Sequence, residues 1–229
     1  MDSNGSALMA SQRMRVAYIL TLVGGYLDAY TYFMRGGVFA NAQTGNIVKL
    51  GIALANQARE TYLFFLVPIC SFALGLIVAL AIKEVLERRK VRLVRRSILA
   101  LEIACLAAVG LIPLGEEWNM LANCIVSFVA AIQYETFTTF RGEAIVTTMS
   151  TGNLKKFVDA LFAGIVHQDV DKLLRAGLFV TIIASFTLGA FCGTRCCDLL
   201  GRAAVAPPMV ALGITIAIIT VLRRRNLTS

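Results

Sequence analysis

Six long apolar runs restrict most strongly how this 229-residue chain can fold. The runs occupy residues 16–34, 61–82, 97–114, 120–140, 173–194 and 205–222. Each is close to the ~20 residues that an α-helix needs to cross the hydrocarbon core of a bilayer. Together they fill most of the chain and leave no room for a soluble catalytic domain. We therefore predict an all-α integral membrane helical bundle, one domain over residues 1–229 with about six transmembrane spans.

The composition and the position of the charges agree with a lipid-embedded protein. Apolar residues make up 58% of the chain and charged residues only 16%, unlike the usual soluble domain. A net charge of +8 would suit nucleic acid, but the basic residues lie at the ends of the runs. The first run contains Asp28 and has no clear cleavage site after a short apolar core, so we expect a permanent span. The predicted partner is the lipid bilayer, with no nucleic acid.

The basic residues also predict the topology. They cluster at the N-terminal segment 13–15, in the loop 83–96 and in the C-terminal segment 223–225. Because basic loops stay in the cytoplasm, both termini and the loop 83–96 are predicted to be cytoplasmic. Arg195 and Arg202 would then lie outside, against the rule.

The sequence contains an internal repeat. Thr44-Gly45-Asn46 recurs as Thr151-Gly152-Asn153, a shift of 107 positions. The same shift matches further polar and aromatic residues: Asp28 with Glu135, Thr31 with Thr138, Phe33 with Phe140, and Lys49 with Lys156. A colinear series of such matches is not expected by chance. We infer a duplication, with repeat one at residues 13–114 and repeat two at residues 119–225.

Two segments, 36–58 and 142–166, are too polar for lipid-facing spans, and each contains one Thr-Gly-Asn element. If both crossed the bilayer, the basic loop 83–96 would fall outside. If both are re-entrant half-helices, that loop stays in the cytoplasm, so the charge pattern favours re-entry. Each repeat then has three spans, an odd number, and the two repeats must be inverted. This arrangement resembles inverted-repeat channels and transporters, whose broken helices present their ends to the solute near the midplane.

The Thr-Gly-Asn elements are candidate solute-binding helix starts. In each copy the threonine or the asparagine would cap the apolar stretch that follows, residues 47–55 and 154–164. The central glycine would allow the tight turn that reverses the chain. Free N–H groups at a helix N-terminus attract anions and solute oxygens. The proposed binding residues are Thr44, Gly45, Asn46, Lys49, Thr151, Gly152, Asn153 and Lys156. The alternative is a structural cap that never touches solute.

Asp28 and Glu135 are candidate coupling acids, since both fall past the middle of an apolar run at matching repeat positions. An uncompensated charge at that depth costs at least ~2.5 kcal/mol. A carboxyl placed there can bind a cation or take up a proton during transport. The alternative is a pair of structural carboxyls neutralised by Arg35, Arg141 or a backbone donor.

Small residues recur at helical spacing in both copies, and such stripes let helix backbones approach closely. We expect them to pack the two repeats together, with contact in a homodimer as the alternative. The stripes are Ser71, Gly75 and Ala79, with Ser185, Gly189 and Gly193.

No other residues predict chemistry. Glu102 has no acidic counterpart in the second copy, and we expect it to be a structural partner of Arg95 or Arg96. The six cysteines form no C-x-x-C pair, which argues against a metal site. The sequence has no recognisable nucleophile set or phosphate loop. We therefore predict no enzyme activity, no metal and no cofactor.

The glycine-aspartate and Thr-Gly-Asn segments resemble those of the YoaK-like family of bacterial multi-pass membrane proteins. The resemblance is carried by residues 24–29 (GGYLDA), 36–41 (GGVFAN) and 42–46 (AQTGN). The second copy departs from this pattern, since Glu135 replaces the aspartate and no paired glycines precede it. The resemblance implies a bacterial plasma-membrane protein and implies no mechanism.

Two functions are compatible with these features. The first is a small secondary transporter or channel for a small polar or anionic solute, with proton or cation coupling through Asp28 and Glu135. The second is a non-transporting membrane scaffold or accessory protein, whose buried polar residues only specify helix packing.

Overall fold

The computed structural model describes residues 3–57, 59–88, 94–140 and 143–228, and the described chain is almost entirely helical. Its α-helices are α1 (Ser3–Met34), α2 (Gln43–Ala55), α3 (Arg59–Arg88), α4 (Val94–Leu111), α5 (Glu116–Thr136), α6 (Thr151–Val166), α7 (Val170–Leu200) and α8 (Ala206–Thr228). A 3-10 turn, Gly201–Val205, joins α7 to α8. Two short antiparallel strands, β1 (Thr139–Phe140) and β2 (Glu143–Ala144), lie between α5 and α6.

The predicted apolar runs coincide with α1, α3, α4, α5, α7 and α8. One boundary is wrong, because the fourth run was expected to be helical to residue 140, whereas α5 ends at Thr136 and β1 follows. Two stretches are long and apolar enough to cross a membrane on their own, Thr61–Val85 and Val170–Leu222. Little of either stretch is buried, so their apolar side chains are available to lipid. The count of six spans stays a prediction.

The two polar segments form the short helices α2 and α6. These contain 13 and 16 residues, about 20 and 24 Å at 1.5 Å per residue, less than the ~30 Å of a hydrocarbon core. Both lengths suit half-helices. Their re-entrant placement in a bilayer stays a prediction.

The basic loop 83–96 is only partly described, because residues 89–93 lie outside the described residues. The same holds for Arg141 and for the side chains at positions 13 and 223–225. The assignment of these groups to the cytoplasm therefore stays a prediction.

The two halves pack in matching ways. Helix α1 packs against α7, and its counterpart α5 packs against α3. Likewise α2 lies on α3, and α6 lies on α7. Helix α4 contacts α8. In addition, α4 contacts α5 and α8 contacts α1, so each contacts the first helix of the other half. Exchanging the halves therefore maps these contacts onto one another. The duplication extends to the packing, while the inversion of one repeat relative to a membrane stays a prediction.

The small-residue stripes pack one repeat against the other, which confirms the preferred interpretation of them. A methyl group at Gly75 on α3 would overlap the carbonyl oxygen of Phe128 on α5. In the same way, a methyl group at Gly189 on α7 would overlap the carbonyl oxygen of Leu22 on α1. Ser71 also donates a 2.8 Å hydrogen bond across the α3–α5 contact. Only glycine allows the backbones to approach this closely.

The C-terminal end of α4 is closed by two arginines. Arg35 is fully buried, and its guanidinium donates to the carbonyl oxygens of Val109, Ile112 and Pro113 at 2.7–3.1 Å. Arg202 donates to two further carbonyl oxygens there, at 2.6 and 2.7 Å. Cations are favourable at a helix C-terminus, where carbonyl groups lack intrahelical partners. Capping α4 is therefore a structural role for Arg202, which the charge rule left unexplained.

Candidate functional site

A cavity of about 510 Å³ lies where the two repeats meet. Helix α1 supplies Asp28 to its wall, and α7 supplies Phe186 and Thr194. The first turns of the half-helices α2 and α6 supply Thr44 and Thr151. A volume of this size is typical of small-molecule sites. The cavity is therefore the best candidate site in the described part of the chain.

The threonines of the two Thr-Gly-Asn elements line this same cavity. Both side chains are exposed at the start of their helices. The expected approach of the two copies is therefore found in the fold. Of each tripeptide, the threonine is the residue that faces the cavity.

Asp28 is 95% buried, with 5% of its surface exposed, and it lines the cavity. Its Oδ1 atom accepts a 2.7 Å hydrogen bond from the backbone N–H of Asn41. The Asn41 side chain in turn donates to the carbonyl oxygen of Gly24 at 2.9 Å. Of the neutralising groups considered for this carboxyl, the backbone donor is the one found, since Arg35 caps α4 instead. Asp28 thus fixes the loop before α2 while facing the cavity.

The asparagines clamp the loops that precede their own helices. Asn46 accepts from the backbone N–H of Phe39 at 2.9 Å and donates back to its carbonyl oxygen at 2.6 Å. Asn153 makes the same pair of bonds to Val146, at 3.4 and 2.7 Å. In both copies the partner lies seven residues earlier. Asn46 and Asn153 are fully buried, so we assign them to loop structure and not to solute contact.

The predicted lysines also bind their own loops. Lys49 donates to the carbonyl oxygen of Gly37, and Lys156 donates to that of Ala144, in each case twelve residues earlier. The Lys49 ammonium also lies 4.3 Å from the centre of the Tyr32 ring. Neither lysine lines the cavity, so they are not placed to bind a solute within it.

The helix-capping prediction is wrong. Helices α2 and α6 begin at Gln43 and Thr151, and neither has a side-chain hydrogen bond at its N-cap. The asparagines that were expected to cap the helices use their amides on the loops. Gly45 and Gly152 lie inside the first helical turns and have no positive φ, so they do not make the chain reversal. In the first copy Gly36 and Gly37 do so, with φ of 83° and 79°.

The expected equivalence of the two acids is not found. Glu135 lies partly exposed on α5 and pairs with Lys83 on α3 at 3.2 Å, away from the cavity. Lys83 is a partner that the structure gives it, and Arg141 lies outside the described residues. A coupling role for Glu135 in the cavity is therefore not supported by its position.

Glu102 is a buried acid whose partner differs from the expected one. It is 1% exposed. When the amide of Gln133 on α5 is oriented with its nitrogen towards the carboxylate, that nitrogen donates to the two carboxylate oxygens at 2.7 and 2.9 Å. Arg96 instead donates to Thr220 at 3.4 Å, and the Arg95 guanidinium lies over the Phe137 ring. The carboxyl thus ties α4 to α5 through a neutral amide.

The cavity contains residues that motif reasoning missed. Its aromatic wall consists of Tyr32, Phe33, Phe39 and Phe186, and Ser150 and Thr194 add hydroxyl groups. Phe33 lies within the matched register, and Phe186 lies between Ser185 and Gly189 of the second small-residue stripe, but nothing in either pattern indicated which way these rings point. A neighbouring cavity of about 380 Å³ shares Thr194 and is also lined by Arg195.

Among the described residues, no three metal-ligating side chains lie together. The carboxyl, hydroxyl and aromatic groups of the cavity suit binding of a small molecule. Fold and cavity together describe an all-α membrane protein with a solute-sized site between two related halves.

Comparison with known proteins agrees with this class. Residues 16–218 match the model of the family described as protein of unknown function DUF1275, and the chain belongs to that family. It is also similar to the UPF0700 transmembrane protein YoaK of Bacillus subtilis (strain 168). The two are 34% identical over 70 residues, which cover 31% of this chain and 31% of that protein. No solved structure matches the chain.

Proposed function

We propose that the protein is a small secondary transporter or channel for a small polar solute in the bacterial plasma membrane. The observation that carries this proposal is the cavity that Thr44 and Thr151 line together with Asp28. A polar site between two repeats, at the ends of half-helices, is the arrangement expected of inverted-repeat transporters. The proposal includes six spans, inverted repeats, re-entrant α2 and α6, cytoplasmic termini and no enzyme activity.

The charge of the site supports a modified choice of solute. The anionic solute expected from the sequence relied on the helix N-termini together with Lys49 and Lys156, but both ammonium groups are held by loop carbonyl oxygens. The cavity itself contains a carboxyl group, and a fully anionic solute would be repelled by it. We therefore propose a solute that is not purely anionic, with Asp28 as the single coupling acid.

A non-transporting scaffold is the second candidate, and a specific observation favours it. The Asp28 carboxylate and the amides of Asn46 and Asn153 all make hydrogen bonds within their own half. Such bonds specify packing without requiring any solute. The scaffold hypothesis, however, gives the cavity no role.

Sided thiol labelling separates the two functions. We would place single cysteines at Thr44 and Thr151 in a cysteine-free background, with exposed Glu116 and Lys83 as control positions. Because both threonines line one cavity, transport predicts that an impermeant thiol reagent reaches both. Alternating access further predicts that the reactive side changes with the conformational state. If both control cysteines react while neither threonine position does, the cavity is dry and the transporter proposal fails.

A further inference from the structure

Asp28 forms the acidic end of the cavity. Among the described residues that line it, Asp28 alone carries a charge. The hydrogen bond to Asp28 comes from a backbone N–H, and the nearby Arg35 is used by α4 and by Tyr30. A buried carboxylate without an ion-pair partner is costly. A cationic group on a bound solute would supply that partner.

The N-terminal ends of the two half-helices meet at the cavity. The cavity is lined by the N-cap residue and a first-turn threonine of each half-helix: Ala42 and Thr44 for α2, and Ser150 and Thr151 for α6. Neither helix has a side-chain cap. The N–H groups of Gln43, Gly45 and Leu154 already donate to backbone carbonyl oxygens. Among the described residues, the N–H groups of Thr44, Thr151 and Gly152 remain for other acceptors. The Ser150 hydroxyl is buried and has no hydrogen-bond partner among the described residues. Two helix N-termini with adjacent hydroxyl groups suit a carboxylate.

Aromatic rings form one wall of the cavity. Tyr32 and Phe39 stack with their ring centres 4.9 Å apart, and Phe186 adds a ring from α7. Aromatic faces accept both apolar groups and cations. An apolar side chain of a solute would therefore be favourable beside them.

We propose that the cavity binds a small zwitterion with an apolar side chain, of the class of the apolar α-amino acids. Its ammonium group faces Asp28, its carboxylate faces the N-termini of α2 and α6, and its side chain lies on the aromatic wall. A plain anion would leave Asp28 unpaired, and a plain amine would leave the helix ends without an acceptor. The inference rests on the proposed transport function, because it names the solute of that same cavity.

Binding to the purified full-length protein in lipid nanodiscs tests this proposal. The probes are L-leucine, L-valine and L-phenylalanine, each compared with two analogues. One analogue lacks the carboxylate: 3-methylbutylamine, 2-methylpropylamine or 2-phenylethylamine. The other lacks the amine: 4-methylpentanoate, 3-methylbutanoate or 3-phenylpropanoate. We expect at least one amino acid to bind roughly tenfold or more tightly than both of its analogues, since each loses one charge-assisted contact.

Substitution of Asp28 locates the ammonium group. Asp28→Asn keeps an oxygen that can accept from Asn41, so the loop contact is retained. We expect it to weaken amino-acid binding by roughly tenfold or more and to strengthen binding of the carboxylate analogue, because the repulsion by Asp28 is removed. Asp159→Asn, at an exposed acid on α6 that pairs with Lys155, is the matched control and should change nothing. If Asp28→Asn does not fold, Thr44→Val and the wild-type analogue series decide the question.

The ligand class is overturned if no amino acid binds at millimolar concentration, or if an analogue lacking one charge binds as tightly as its parent. Its failure is distinguishable from failure of the transport proposal. Labelling at Thr44 and Thr151 without amino-acid binding removes the ligand class and keeps a water-filled pathway. Amino-acid binding without solute flux into proteoliposomes removes transport and keeps the ligand class.

Discussion

The loops before α2 and α6 share their backbone clamp but differ in their other polar groups. In both loops an asparagine binds the residue seven positions earlier, and a lysine binds the one twelve positions earlier. Among the described residues, a buried acid, Asp28, holds the first loop and none holds the second. The corresponding Glu135 pairs with Lys83 near the surface. The duplicated contacts are therefore those that shape the chain, and the charge in the cavity belongs to one copy.

The second loop also leaves hydrogen-bonding capacity unused. Thr148 occupies the position that corresponds to Asn41 in the first copy, and its hydroxyl has no partner among the described residues. The hydroxyls of Thr147 and Ser150 are in the same state. Buried polar groups are normally paired, so this loop is where bound water or solute would satisfy the protein. Of these three residues, Ser150 lines the cavity. Divergence after duplication thus left a buried acid, Asp28, in the first copy and hydroxyl groups without a described partner in the second.

The largest effect is expected where the two halves meet. Leucine at Gly75 or at Gly189 would overlap a backbone carbonyl of the opposing helix, and neither backbone can move away cheaply. We expect both variants to lose the monodisperse folded protein on size-exclusion chromatography. Gly177→Leu, on the same helix as Gly189 but facing open space, is the control and should stay folded. Survival of one variant alone would break the equivalence of the two contacts.

The second largest effect on stability is expected at the asparagine clamps. Asn46→Ala and Asn153→Ala each leave buried loop groups unpaired, and we expect a loss of about 1–3 kcal/mol in the free energy of unfolding. Asn46→Ala should cost more, because its bonds to the Phe39 backbone include none as long as the 3.4 Å bond of Asn153. Denaturant unfolding in a fixed detergent measures both. Asn56→Ala, at an exposed position, is the control and should leave the free energy of unfolding nearly unchanged. If Asn46→Ala also left the free energy of unfolding nearly unchanged, the clamp would be contradicted.

A smaller effect, of opposite sign, is expected at Gly51 on α2. A methyl group there meets no atom within 4 Å, and alanine restricts the unfolded chain more than glycine does. Gly51→Ala should therefore raise stability by about 0.4–1 kcal/mol, seen as a higher melting temperature. A lower melting temperature would mean that this face of α2 is covered.

The smallest effect is expected at Glu135. Its ion pair with Lys83 is partly exposed, and such pairs are worth about 0–1 kcal/mol. Glu135→Gln should lower the free energy of unfolding by no more than about 1 kcal/mol and should leave the binding of every cavity ligand unchanged. Loss of ligand binding in Glu135→Gln, with stability retained, would restore a symmetric role for the two acids.

Much of the fold followed from local patterns. The apolar runs predicted the long helices, and the polar segments predicted α2 and α6 as helices too short to span, because hydrophobicity and length act locally. The repeat register also predicted that Thr44 and Thr151 occupy equivalent positions and contribute to one site. The helix-capping prediction was wrong, because an asparagine near a helix start can bind either the helix or the preceding loop. Nothing local decides between these two partners.

The sequence by itself determined a lipid-embedded helical chain with two related halves, since composition and repeat register require no knowledge of distant contacts. Tertiary structure decided which copies of each matched residue face the cavity. Asp28 lies beside the cavity because α1 packs against α7, whereas Glu135 lies beside Lys83 because α5 packs against α3. It also decided that Gln133 holds Glu102 and that Arg35 closes α4. These partners come from other helices, and only packing brings them within hydrogen-bonding distance.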